Sequence, residues 1–399
     1  MSELVREYEY YRHIFRNQAL PLAFVDLDLF DANIAAVLER AGQTRIRVAS
    51  KAIRCVPLLE RILASDDRFI GLMCYTVSEA VFLSQLGFDN LLIAYPAWRE
   101  VEMASLCREL RRGKRLVCMV DCVDHADHLN QSGHIFDVAI PVCIDADVSY
   151  SFLGFHFGVR RSPIRDTASA AVLAKHVVSC HHLRLEGLMA YEAQIAGLPD
   201  GVPGHFFQNG AVRVLQAFSK NDVLQRRRQL VKTVVEATHE LDFVNGGGTG
   251  SMDFTVSDGA VTEITVGAGF FGPAMFDGYR GFHYESAAGF AIEITRIPEP
   301  GIYTCQGGGY VASGSAGPGR LPVPYLPRGA RLLPLEGAGE VQTPIRYGGN
   351  IELALGDPIF MRHAKAGELC EHFNGLALVS DGAITDEVPT YRGEGQAFL

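Results

Sequence analysis

No apolar run in this chain approaches the roughly 20 residues that a helix needs to cross a bilayer, so no membrane partner is expected. No pair of its nine cysteines forms a CxxC motif; the closest two, Cys118 and Cys122, are four residues apart. An odd, dispersed set lying mostly in strand-like runs reads as reduced, buried thiols, which suits a cytoplasmic protein. The first residues, Met1-Ser2-Glu3-Leu4-Val5-Arg6-Glu7-Tyr8, are polar and acidic and lack the pattern of a secretory signal. Positive charge is in deficit: 36 Lys and Arg against 46 Asp and Glu give a formal charge of -10, and no nucleic-acid partner is expected. Internal repeats and low-complexity segments are absent, and Gly307 to Gly319 is the nearest approach to a flexible loop. What remains is an ordinary globular composition, 48% hydrophobic and 21% charged. The 399 residues are natural for two domains with a substantial core.

Short apolar runs alternate with amphipathic stretches over the first two thirds of the chain. The runs are 46–50, 69–75, 91–95, 116–121, 136–145, 185–191, 242–246 and 263–269, with helical patterns such as 77–86, 100–111 and 168–178 between them. Continuous apolar strands alternating with helices predict parallel strands covered by helices. Eight such strands are the number that closes a TIM-type (β/α)8 barrel; an open doubly wound sheet is the alternative that periodicity leaves open. After about residue 285 the rhythm changes to period two, as in Ala291-Ile292-Glu293-Ile294-Thr295, with Pro and Gly between runs. That predicts a mostly antiparallel β domain. The expected division is 1–285 for the barrel, whose first 20 residues could pack on the other domain, and 286–399 for the β domain.

Two features carry chemistry. Lys51 ends the first run, Arg47-Val48-Ala49-Ser50-Lys51. A desolvated strand-end amine is costly as the cation, and its free-base form can make a Schiff base. Gly246-Gly247-Gly248-Thr249-Gly250-Ser251 ends the seventh run and reads as a phosphate cradle, glycines admitting backbone N–H groups and Thr249 and Ser251 adding hydroxyls. Alone, each has an ordinary explanation: a snorkelling lysine, a surface turn. On the same C-terminal barrel face, where βα barrels keep their sites, the pair points to a pyridoxal phosphate enzyme.

The chain resembles the alanine-racemase-type (fold type III) pyridoxal phosphate enzymes, in the D-threonine aldolase and D-serine dehydratase branch. The matching pieces occur in order: Pro21–Asp28 with Ile34, Val48–Lys51, Leu91–Pro96, Glu186-Gly187-Leu188 through Tyr191, the glycine loop, and Thr262-Glu263-Ile264 with Gly267, Phe270 and Asp277. The resemblance implies a barrel followed by a β domain, pyridoxal 5'-phosphate as cofactor, a small amino-acid substrate, and a homodimer with sites at its interface. Carried over by position, Lys51 is the Schiff-base lysine and a base at Cα, and Tyr191 lines the cofactor pocket. Gly247, Gly248, Thr249 and Gly250 hold the phosphate, with Gly267 and Phe270 as the second half of the cradle. An arginine after the fifth strand reaches the cofactor's phenolate side; Arg160 and Arg161 are both available, and Arg161 is preferred.

The branch's metal site, a His-x-Cys or His-x-Asp pair near the C-terminus, is altered. His363 is present and is the one carried-over metal candidate, but Lys365 stands where the second ligand belongs. A protonated lysine cannot ligate a metal. A second family element appears as Glu340-Val341-Gln342-Thr343, lacking its histidine. Both departures argue against a divalent metal and suggest that His363 and Lys365 contact the substrate's carboxylate or β-hydroxyl, with the lysine replacing the metal's charge. The rival is a rearranged site using His363 with Glu368, Cys370 or His372. Arg226-Arg227-Arg228 reads as a solvated surface, and Tyr310 and Tyr391 are positional candidates for entering a neighbouring subunit's site. The functional expectation is a lyase on a β-hydroxy-α-amino acid of D configuration, by aldol cleavage or by dehydration and deamination. The alternatives are an amino-acid racemase or a non-catalytic cofactor-binding protein.

Overall fold

The computed structural model describes residues 6–152 and 154–398. Eight parallel strands close a barrel: β1 (Arg45–Ala49), β2 (Phe69–Cys74), β3 (Leu91–Pro96), β4 (Leu116–Val120), β5 (Ile140–Asp145), β6 (Leu183–Met189), β7 (Phe243–Gly246) and β8 (Glu263–Val266). Closure is made where β8 pairs with β1 in the register Ile264↔Ile46 and Val266↔Val48. That pairing excludes the open doubly wound sheet. The strands read as continuous apolar runs because they are buried on both faces: every residue of β4 and of β5 is buried.

Leu92, Val117, Met119, Cys143, Met189 and Phe243 fill the barrel interior. Gly187 of β6 is required there, since a Cβ at that position would come within 2.3 Å of the Phe243 ring. Toward the start of the strands the filling is ionic. Arg47, fully buried, donates to Glu263 at 2.9 and 3.0 Å and to the Asn90 carbonyl at 2.6 Å.

A second sheet is built mostly of antiparallel strands. In order it runs Arg331–Leu332, Gln342–Arg346, Ile302–Gln306, Ala288–Glu299, Leu22–Asp26, Gly375–Ser380 and Ala383–Pro389. Pro358–Arg362 also pairs with Ala288–Glu299 and carries Val323–Leu326 on its other edge. The parallel exception is Leu22–Asp26 beside Gly375–Ser380. By internal contacts the chain forms two compact units. One holds the described residues up to Val37, Ala52–Glu60 and Ala268–Ala397; the other holds Leu38–Lys51, Arg61–Gly267 and Phe398. All nine cysteines are free, and all but Cys122 are buried. Among the described residues no helix is long and apolar enough to cross a membrane.

Candidate active site

The C-terminal ends of the barrel strands gather most of the residues singled out above. β1 stops at Ala49, and a single 3-10 turn, Ser50–Ala52, carries Lys51 to the surface. Its side chain is exposed, which corrects the desolvation argument: the lysine follows the buried strand on a separate turn. Beside β1 in the closed ring, Gly267 directly follows β8, and next to it the glycine loop follows β7.

That loop is held less by its glycines than by Glu192, which sequence reasoning missed. The Glu192 carboxylate is 0% exposed and accepts four donors. Oε1 takes the Ser251 hydroxyl at 2.6 Å and the Thr255 hydroxyl at 2.5 Å. Oε2 takes the Gly247 amide at 3.3 Å and the Arg227 guanidinium. Arg227, also 0% exposed, pairs with Asp258 at 2.9 Å as well. A solvated reading of the arginine run is therefore wrong for Arg227. Consecutive helical residues point about 100° apart, so one of three adjacent arginines on Phe206–Ala237 turns inward while Arg228 faces water. Ser251 is likewise committed, since its Oγ accepts from the Gly248 amide at 3.1 Å and donates to Glu192. It is not available as a ligand donor. Arg40 braces the loop from outside, donating to the Thr249 carbonyl at 3.2 Å and to Asp253 at 3.0 Å.

The resulting concavity suits an anion. Gly247 has φ +88°, and a Cβ on Gly248 would lie 3.2 Å from both Tyr191 Cε2 and Ala196 Cβ, filling the cradle. Among the described residues the Thr249 and Gly250 amides have no backbone acceptor, leaving two N–H groups to offer. Burial pushes the Tyr191 phenol up to about 12, so it stays a neutral donor at neutral pH.

Arg161, of the two arginines considered, is the one turned inward. It donates to Asp145 Oδ2, at the end of β5, and to the Ala94 carbonyl of β3, each at 2.5 Å, and stacks over Tyr95 with 5.0 Å to the ring centroid. Arg160 is exposed. Burial raises the Asp145 carboxyl to about 6 despite Arg161, and its Oδ1 has no partner.

The remaining candidates belong to the β-rich unit. Phe270 is buried there against Phe30, and its carbonyl accepts from Asn33 at 3.0 Å. His363 is 0% exposed, and burial drives it down to about 3, so it is a neutral core residue. Contact between His363 and a substrate, as expected from sequence, does not follow from this placement. Lys365 is half-buried and donates to Ser313 at 2.8 Å; burial lowers its affinity for a proton. The two diverge because the strand ends at Arg362, and the alternation that would put residues 363 and 365 on one face ends with it. Among the described residues His363, Glu368, Cys370 and His372 form no metal-capable cluster. Tyr391, 1% exposed, is packed within its own unit.

The family model described as alanine racemase, N-terminal domain, matches residues 25–272. D-threonine aldolase of Arthrobacter sp. is 26% identical over 272 residues, covering 66% of this chain and 65% of that protein. 3-Hydroxy-D-aspartate aldolase of Paracoccus denitrificans (strain Pd 1222) is 22% identical over 255 residues, 62% of this chain and 59% of the relative. The chain thus matches less than two thirds of the length of these curated relatives. Among solved structures, D-threonine aldolase from Filomicrobium marinum superposes with a TM-score of 0.78 at 20% identity, covering 94% of this chain and 95% of the other. D-threo-3-hydroxyaspartate dehydratase from Delftia sp. HT23 gives 0.72 at 20% identity, covering 94% and 98%. At such identities these two likenesses establish the fold.

Proposed function

This chain belongs to the family of the alanine racemase N-terminal domain, and from that premise we propose that it is a pyridoxal-phosphate-dependent lyase acting on a β-hydroxy-α-amino acid of D configuration. The observation that carries the reading is the ring of strand ends: Lys51 after β1, Gly267 after β8, the braced glycine loop after β7, Tyr191 after β6 and Arg161 on Asp145 of β5. The named relatives that cleave or dehydrate such amino acids favour a lyase over a racemase.

The residues present fit the cofactor. The Thr249 and Gly250 amides, with Gly267 beside them, would take its phosphate at the end of two adjacent strands, and Gly248 leaves the space a side chain would fill. Lys51 Nζ is the amine that would hold its aldehyde carbon, and Arg161 is the fixed cation for its phenolate side. When bound, pyridoxal phosphate supplies an electron sink that lowers the barriers to breaking bonds at Cα. Lys51 Nζ would take or return a proton at Cα from one face, which suits one enantiomer. Tyr191 orients rather than ionises, its phenol being held neutral by burial. Lys365 would supply fixed positive charge where the related branch places a metal ligand, and His363 would stay in the core. The cell compartment proposed is the cytoplasm and the assembly a homodimer.

The test is the visible spectrum of the purified protein beside Lys51→Ala, with borohydride reduction and peptide mapping, then incubation with D-threonine and D-serine. A yellow wild type trapped on Lys51 supports the reading; a protein that stays colourless with added cofactor overturns it. Glycine plus acetaldehyde identifies an aldolase, a keto acid plus ammonia a dehydratase, and the L enantiomer would replace the lyase reading by a racemase.

A further inference from the structure

On the outside of the barrel, the helices Val123–Phe136 and Thr167–Ser179 are neighbours. His176 and Cys180 are four residues apart and therefore on one face of the second helix and its cap. Asp127 comes from the first helix, with its Oδ1 2.6 Å from His176 Nε2. The ligand-capable atoms of Asp127, His176 and Cys180 all lie within 4.8 Å of one another. We propose that this trio is a binding site for a divalent transition metal of zinc type, clipping the two helices together and separate from the barrel mouth.

The donor set decides the class of metal. One thiolate, one imidazole and one carboxylate suit zinc and its neighbours, whereas calcium and magnesium require oxygen ligands throughout. At zinc bond lengths of about 2.0–2.3 Å, two tetrahedral ligands stand about 3.3–3.7 Å apart. The His176–Asp127 hydrogen bond therefore has to open by about 1 Å, a movement within reach of side chains that are 30% and 58% exposed, about the buried Cys180. The fourth position falls to water, as in three-ligand sites.

Polar contacts beside the trio continue the packing of the first helix against the segment after the second. Asn130 and His134 continue the face of Asp127 at i+3 and i+7, and they meet the segment that follows Cys180. Asn130 Oδ1 accepts the His182 amide at 3.0 Å, and the His134 and His182 rings lie 5.2 Å apart. Burial and the neighbouring Asp127 push the Cys180 thiol up, so without a cation the site holds a proton on sulfur. A dication reverses that preference. Binding releases the thiol proton to solvent and requires His176 to move its proton from Nε2 to Nδ1, so that the Nε2 lone pair turns from Asp127 to the metal.

The experiment uses the full chain, stripped with chelator and titrated with cobalt(II), then with zinc in competition. Wild type is expected to show the intense near-ultraviolet thiolate-to-cobalt band at one equivalent, displaced by zinc. Cys180→Ser should abolish the band, and His176→Ala and Asp127→Asn should each weaken zinc binding by tenfold or more. Circular dichroism of each variant checks that the barrel is folded. Absence of the band in wild type, or its survival in folded Cys180→Ser through another thiol such as Cys122, overturns the assignment. The readout is independent of pyridoxal phosphate, so its failure leaves the proposed reaction untouched.

Discussion

Glu192 and His363 are both fully buried, and the contrast between them separates two parts of the molecule. In the barrel, Glu192 meets an arginine, two hydroxyls and a backbone amide. In the β-rich unit, His363 is a neutral imidazole packed edge-on against Phe271, with 6.0 Å between ring centroids. A satisfied buried charge fixes its neighbours in one arrangement, whereas a neutral ring among apolar groups fixes few. The barrel's glycine loop is thus built in advance by the fold.

The sharpest way to break this contrast is Glu192→Ala. It leaves Arg227 with Asp258 as its one remaining carboxylate among the described residues and releases Ser251, Thr255 and the Gly247 amide together, and removing one partner of a buried pair costs up to about 3–5 kcal/mol. Urea unfolding should show that loss, and titration of the folded variant with pyridoxal phosphate should show at least tenfold weaker binding. A variant as stable as wild type with unchanged affinity would mean that the loop does not depend on its brace.

Next in size is Gly248→Ala. The added methyl meets Tyr191 and Ala196 at 3.2 Å, tight enough that both must give. Cofactor affinity is expected to fall several-fold, with a stability change of about 1 kcal/mol, the scale set by mild overpacking. Equal affinity in the two proteins would show that the anion sits elsewhere than over this loop.

His363 gives the smallest effect at neutral pH and a pH-dependent one below it. Substitution by Leu replaces a buried neutral imidazole by an apolar side chain and should leave stability within about 1 kcal/mol of wild type at pH 7.5. The buried imidazole is held neutral down to about 3, while in the unfolded chain it takes a proton near 6.5. Its contribution is therefore fully present above 6.5 and is lost as pH falls toward 3, by up to about 1.4 kcal/mol per pH unit. Wild type should lose stability relative to His363→Leu between pH 6.5 and 4.5, as read from urea midpoints. Parallel curves for the two proteins would show that His363 is not buried as a neutral group.

The sequence revealed most about the barrel because both faces of its strands are covered. Eight continuous apolar runs, separated by helical patterns, leave little choice of layer, and the glycine loop and Lys51 then fall at strand ends by counting. Of the adjacent Arg160 and Arg161, Arg161 is the one that reaches Asp145. Glu192 and Arg227 were illegible. One is an unremarkable acid after Tyr191 and the other the middle of a basic run; nothing local says that a helix rotates one arginine of three into a carboxylate 35 residues away in sequence. His363 and Lys365 looked like partners because residues two apart share a face of a strand, and only the strand's end at Arg362 separates them.

Local pattern by itself determined the barrel, the change to period-two strands near residue 285 and the residues that end β1 and β7, since hydrophobic periodicity and glycine placement are properties of neighbours along the chain. Tertiary structure decided that Lys51 is exposed, that Ser251 faces Glu192 rather than a ligand, that Arg227 is buried and that Asp127 meets His176 and Cys180. Those are matters of charge desolvation and side-chain direction, and they are settled only by what packs against each residue from a distant part of the chain.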